Sequence, residues 1–451
     1  MCRAVSPEIG ANLWGGVADP NAFNFQRLQT ETRFQMFKRL AAAGHSRRPV
    51  SWEVHMSEVL PAAESDSGTA PRASSNIRHL SRMEIAGGGQ IVIDGNYAYV
   101  GHQHRPQGTT ILDISDPRKP KILSTLTPGH PWSHSHKARV VGDLMVVNSE
   151  FERGDGSRRN EYPDGGFRIY DVKDRSNPKL VTFVKTHGKG VHRFDLDENY
   201  AYISTERAGF VGNILVIYDI RNPSKPVEVS RWSMERQNVA GGDEPHPKRA
   251  EHRLHHAMRC GTEMYAGCWM SGISIIDVSD IKKPRTLSRY EYDPPCPEPT
   301  HTFLKVPHPI GGKHIAVSTE EERSHRGADA GKPHAPLRTW DVSDPIQPKL
   351  LCSYYLPESA TPYPAGKVRF GTHQLREKVD EDNLIYVTWF AGGLRVIDIN
   401  DPANPKERGY FIPKPGDGVA APLTNDVFKD DRGLLWVTDK ERGLDVIEYK
   451  N

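Results

Sequence analysis

The chain is poor in cysteine, in aromatics and in long apolar runs, and it carries almost no excess charge of either sign. Five cysteines (Cys2, Cys260, Cys268, Cys296, Cys352) among 451 residues are odd in number, far apart and without Cys-x-x-Cys spacing. That excludes a disulfide framework of the small secreted kind and fits reduced thiols, so a cytoplasmic location is expected. No stretch reaches the ~20 apolar residues of a membrane span. The first thirty residues place Pro, Asn, Asp and Glu where a secretory signal needs an unbroken apolar stretch. No membrane partner is expected. With 59 basic against 57 acidic residues mixed along the chain, the formal charge is +2, which excludes a field that gathers nucleic acid. GxSxG, Walker, Rossmann-glycine and HExxH patterns are all missing, and the chemistries they mark go with them.

Repetition is what the chain has instead. A short strand ending in an acid, a turn with proline and a further strand recur as ILDISDPRKPKILS from Ile111, IYDVKDRSNPKLVT from Ile169 and IYDIRNPSKPVEVS from Ile217. They recur again as IIDVSDIKKPRTLS from Ile275, TWDVSDPIQPKLLC from Thr339, VIDINDPANPKERG from Val396 and a shortened LDVIEYKN from Leu444. The marker acids Asp113, Asp171, Asp219, Asp277, Asp341, Asp398 and Glu448 lie 58, 48, 58, 64, 57 and 50 residues apart. Two more strands precede each element, the second of them an apolar run such as YAYVG from Tyr97 or YAYISTE from Tyr200. Four strands per unit, A to D, at this period predict an all-β fold, a seven-bladed β-propeller over residues 76–451.

The last unit lacks its D strand, and NIRHLSRMEI at 76–85 reads like the D strands KPRTLSRYEY and KPVEVSRWSM. An N-terminal strand is therefore expected to close the ring, which removes an open sheet edge. Residues 1–75 are left as an N-terminal extension, with one amphipathic helix over Ala22–Ala43 and a Ser/Ala/Pro/Gly-rich linker around Ala62–Ser75. It serves as a packing or dimerising arm, giving a homo-oligomer, or as a lid.

Stacking the units puts His136, His192, His256, His301 and His373 in one column at the start of strand A, with Gly89 and Asn425 in the other two units. A residue type filling 20 of 451 positions occupies about 0.3 of seven such slots by chance. Strand A of a propeller lines the channel, so the five imidazoles are expected to converge on the axis and hold a metal ion. Glu150, Glu206 and Glu320 end strand B at the same channel end, 14, 14 and 19 residues after their histidines. They are expected to orient the ligands, to ligate, or to act as general bases. His134 faces the same side as His136 and can replace it; His255 should point into the sheets unless the register slips by one. His102 and His104 are placed at the channel mouth.

Other repeated residues have plainer readings. The marker acids fit Asx turns better than calcium sites. Glu321 and Glu322 read as a solvated loop, and Arg139, Arg259 and Arg376, three residues after a column histidine, as links to neighbouring blades. Cys268, Trp269, Trp389 and Phe390 stand where other units have Glu; they form an apolar wall for a substrate or simply fill the ring.

The elements ILDISDP, IIDVSDI and VIDINDP resemble the LVIVD repeat of bacterial β-propeller proteins. The axial His and Glu layout resembles, in arrangement only, the iron site of carotenoid-cleaving oxygenases and, more loosely, the selenium-binding, methanethiol-oxidase propellers. That resemblance implies a redox metal, and the chain departs from it in a fifth histidine. The expectation is a metal-dependent oxidoreductase acting on a small organic substrate, with a divalent transition metal: iron first, then copper, zinc or manganese. A hydrolase or lyase on the same site and a noncatalytic interaction scaffold are the alternatives.

Overall fold

The computed structural model describes residues 55–56, 70–152, 162–292, 297–323, 334–363 and 367–451, all within the compact unit Val54–Asn451. The helix expected over Ala22–Ala43 lies outside them. Among the described residues no helix is long and apolar enough to cross a membrane, and the regular structure is strands with a few single 3-10 turns.

The strands form antiparallel meanders in chain order. Gly88–Asp94, Tyr97–His102, Thr109–Asp113 and Lys121–Thr125 make the first. Further meanders run from His187–Leu196 to Val227–Trp232, from His252–Cys260 to Arg285–Tyr290 and from Thr300–Lys305 to Lys349–Tyr355. Pairings at Glu150 with Gly190 and at Trp269 with Thr300 join neighbouring meanders. The described residues therefore give two nine-stranded and three four-stranded sheets.

Middle strands such as Tyr200–Glu206 are covered on both faces, because each meander packs against the next. Phe167 and Ile169 thus share a core with Ile203 and Val216, and Trp340 shares one with Tyr265 and Ile275. β-Branched and aromatic side chains fill such two-sided pleats well. Outer strands such as Lys179–Lys185 are half exposed, and their lysines blunt the edge. The meanders whose marker acid is Asp are tightened by it. The carboxylates of Asp113, Asp277 and Asp398 accept the amide two residues on, at 2.9, 2.8 and 2.7 Å, as an Asx turn requires.

The strand Ile77–Ala86 pairs antiparallel with Arg442–Tyr449, in one sheet with Thr424–Lys429 and Leu434–Asp439. Buried Asp445 ties this seam, accepting from Arg82 at 2.7 Å and contacting His79 at 2.8 Å. Two short pieces of the segment assigned to the extension also pair with sheets: His55–Met56 with Lys349–Tyr355, and Arg72–Ala73 with Lys406–Ile412.

The inner strands neighbour one another. Gly88–Asp94 touches Thr424–Lys429 on one side and Ala138–Val141 on the other. Gly89 allows this approach, since a Cβ there would meet the backbone oxygen of His136 at 2.3 Å. Blade-to-blade backbone packing thus explains why this slot of the column holds no imidazole.

Candidate metal centre

At the column position the inner strands break their regular pairing. Pairing jumps from Val191 to Arg193, from His252 to His256, from Thr300 to Thr302 and from Thr424 to Asp426. The skipped residues include His192, His255, His301 and Asn425. His136 lies between the short strands Ser133–His134 and Ala138–Val141. Bulges re-aim side chains, and here they turn imidazoles inward.

The result is a continuous run of six rings. Centroids are separated by 5.0 Å from His134 to His136, 5.1 Å to His192, 4.7 Å to His255, 4.3 Å to His301 and 4.4 Å to His373. His136, His192, His301 and His373 are thus brought together as the spacing predicts. His256 is not among them. It contacts Lys137 Nζ at 2.9 Å through Nε2, and His255 takes its place because the irregularity between His252 and His256 shifts the strand by one residue.

Carboxylates divide in the same way. Glu150 Oε2 accepts from His192 Nδ1 at 2.8 Å and lies 3.4 Å from His134 Nε2 and 3.7 Å from His136 Nδ1. Glu320 points elsewhere, accepting from Tyr292, Thr300 and Arg338 at 2.7, 2.9 and 3.1 Å. Its successor Glu321 faces the site, 4.0 Å from His301 Nε2 and paired with Arg369 at 2.7 Å, since consecutive residues on extended backbone point to opposite sides. Glu321 is therefore not a solvated loop residue. Glu206 accepts the Lys189 amide at 3.2 Å and belongs to none of the three His/Glu groups able to hold an ion among the described residues. Two such groups lie in the ring, His134–His136–Glu150 and His255–His301–Glu321. A third, His246–His252–Glu291, is away from it, and both nitrogens of His252 are already taken, by Ser271 and the Glu235 carbonyl.

Proton positions follow from the partners. Ionised Glu150 and the His301 carbonyl can only accept, so His192 and His255 carry their protons on Nδ1, at 2.8 and 2.7 Å from those oxygens. Their Nε2 lone pairs then face each other across 2.8 Å. His373 likewise donates from Nδ1 to the Asn425 carbonyl at 2.7 Å, leaving its Nε2 as an acceptor. Arg193 donates to His301 Nε2 at 3.1 Å. The buried Nε2 of His136 has no partner among the described residues.

Burial keeps five of the six rings neutral, whereas Glu150 and Glu152 raise His134 in spite of it. It pushes His136, His255 and His301 well below the ordinary histidine range, and His373 down to about 3. His192 is lowered by burial against the pull of Glu150. Burial also penalises Glu150, but the surrounding imidazoles outweigh it and hold that carboxyl well below its usual range. Burial opposes ionisation of Glu321, and Arg369 with His373 overcomes it, bringing the carboxyl to about 2. Neutral imidazole and ionised carboxylate are the states that ligate metals.

Aromatic side chains wall the ring. Trp269 stacks on His255 at 4.8 Å and Phe390 lies 4.9 Å from His373. Both have left-handed backbone, φ 49° and 42°, an uncommon conformation for bulky residues that turns the rings toward the imidazoles. Their predecessors Cys268 and Trp389 join the hydrophobic cores instead. His104 lies 3.6 Å from Glu152 and 3.7 Å from Glu441, whereas His102 is held by Thr110 at 2.8 Å.

Residues 88–127, 192–233 and 381–411 match the LVIVD repeat. The WD40 β-propeller domain of Doa1 is similar over 84% of this chain and 99% of its own, with a TM-score of 0.52 at 8% identity. The chain carries LVIVD repeats and folds as a β-propeller. The extracellular domain of a one-component system, BT4673 from B. thetaiotaomicron, matches over 84% of this propeller chain and 41% of its own, with a TM-score of 0.50 at 11% identity. No curated protein sequence matches it. At these identities the likeness is one of fold, and the LVIVD propeller must be assigned its chemistry from its own side chains.

Proposed function

We propose that this LVIVD propeller is a metal-dependent enzyme, an oxidoreductase acting on a small organic substrate, with seven blades closed by Ile77–Ala86 and a cytoplasmic location. One observation carries the metal: two neutral imidazoles whose Nδ1 protons are committed aim Nε2 lone pairs at each other across 2.8 Å. Two acceptors that close repel unless a cation lies beside them, and an ion bound by both nitrogens removes the conflict. His192 and His255 hold it, His373 adds a third Nε2 whose ring proton is committed to the Asn425 carbonyl, and the carboxylates Glu150 and Glu321 of the neighbouring groups balance its charge.

A divalent transition metal, with iron ahead of copper, zinc or manganese, supplies redox or Lewis-acid chemistry at such a donor set. The chain's own residues do the rest. Glu150 and the carbonyls of His301 and Asn425 fix ring tautomers, as outer partners of metal-binding histidines do. Trp269 and Phe390 exclude water and offer an apolar wall to an organic substrate. His136 is the polar contact: Asn148 donates to its Nδ1 at 3.0 Å, so the proton resides on the unpartnered Nε2, which donates to an acceptor atom of a bound molecule.

Metal analysis of purified protein tests this. About one ion per chain is expected, lost in His192→Ala and in His255→Ala and kept in His256→Ala. Metal-free protein from metal-replete cells, or metal retained in both of the first two variants, sinks the reading. Exchange of iron for zinc then separates redox chemistry, which zinc abolishes, from hydrolase or lyase chemistry, which tolerates it.

A further inference from the structure

One to four positions past the column, the inner strands carry a second polar layer. Glu377 is its centre. Its Oε1 accepts from Gln90 at 3.1 Å, Gln374 at 3.1 Å and Lys137 at 3.2 Å, and its other oxygen pairs with Arg139. Lys137 reaches on to His256, and Arg193 bridges from His301 to Gln374 Oε1 at 3.5 Å. This buried layer lies between the imidazole ring and a cavity of about 320 Å³ lined by Gln90, Val92, Arg139, Arg376, Asp426, Phe428 and their neighbours.

The cavity is a built polar site. Gln90 Oε1, Arg139 Nε and Arg376 Nε are buried and have no hydrogen-bond partner among the described residues. Buried donors and acceptors rarely go unmatched, because each has given up its water. Two guanidinium N–H groups call for an acceptor, and the amide oxygen calls for a donor. The acids of the lining do not serve them: Asp426 Oδ2 accepts the Ile91 amide at 2.9 Å, and Glu377 already takes four donors. The terminal Nη2 of Arg139 pairs with Glu377 and Asp195, and Nη1 of Arg376 with Asp380 at 2.7 Å, which leaves the two Nε–H groups as unmatched donors. Val92, Ala138 and Val427 make its apolar side.

We infer that this cavity binds a small hydroxy acid. Its carboxylate accepts from Arg139 and Arg376, its hydroxyl donates to Gln90, and its short carbon chain lies against Val92, Ala138 and Val427. Guanidinium groups suit carboxylates in charge and in planar geometry. The volume lies at the small end of ligand pockets, which excludes large substrates. Because the polar layer stands between them, this site is separate from the imidazole ring.

Calorimetry of the full chain with lactate, 3-hydroxybutyrate and malate, each against its uncharged amide, tests the inference. Saturable one-site binding of at least one acid and none of its amide is expected. Arg376→Gln should weaken it by about tenfold or more and the cavity-filling Val92→Trp should abolish it. His192→Ala, which tests the metal alone, should bind the acid as the parent does. Should Val92→Trp fail to fold, Arg376→Gln decides. The inference is overturned if no acid binds at millimolar concentration, if acid and amide bind equally, or if Arg376→Gln binds as tightly as the parent.

Discussion

His255 and His256 adjoin in sequence and have different hydrogen-bond partners. One donates to a carbonyl and aims its free nitrogen at His192; the other meets the ammonium of Lys137. At this scale the column was legible, because His136, His192, His301 and His373 stand in it whatever the local backbone does. The fifth member, and the choice of Glu321 over Glu320, were not, since each depends on a one-residue step that composition does not record. A buried acid at the same scale gives a pH test. Burial, then the charge of Glu377, pushes Asp426 from 3.8 up to about 7. A folded-state value above the unfolded one contributes stability that is complete below about pH 4 and lost as pH rises through about 7. Unfolding free energies of the parent and Asp426→Asn, measured from pH 4 to 8, should show the parent losing ground to the variant with rising pH. A difference independent of pH would mean that Asp426 holds no such proton.

Among the elements, the inner strands depart from the pattern a regular pleat predicts. Alternation assigns Arg139, Arg259 and Arg376 to neighbouring blades. Arg139 reaches Asp195 there at 3.4 Å and Arg259 reaches Asp197, whereas Arg376 pairs with Asp380 nearby in its own chain segment at 2.7 Å. Arg139 and Arg376 also line the cavity. Bulges at the column swap His255 for His256, and no residue type announces them. The seam between Ile77–Ala86 and Arg442–Tyr449 was legible, because its strand repeats the sequence of other D strands. Asp445, 1% exposed, bonds Arg82 and His79 across it. Asp445→Ala should cost about 2 kcal/mol, the loss of hydrogen bonds to a charged group. It should also raise amide exchange in Ile77–Ala86 above that of the middle strands. Unchanged exchange there would show that the seam holds without it.

For the molecule as a whole, the repeat period alone identified a propeller, whereas its chemistry had to wait for proton positions. An ion that binds only the folded chain raises its stability by mass action. Chelation should lower the Tm of the parent, and added iron should restore it. His192→Ala should show the lower Tm and no response to either treatment. A parent Tm indifferent to chelator would count against a bound ion.

The pairing of Ile77–Ala86 with Arg442–Tyr449 also sets an order of events during synthesis. The first of these strands leaves the ribosome long before its partner exists, so it waits with unsatisfied backbone groups while the intervening meanders form from local contacts. Circular permutation that fuses the two strands through a short turn should end that wait and speed the final step of refolding.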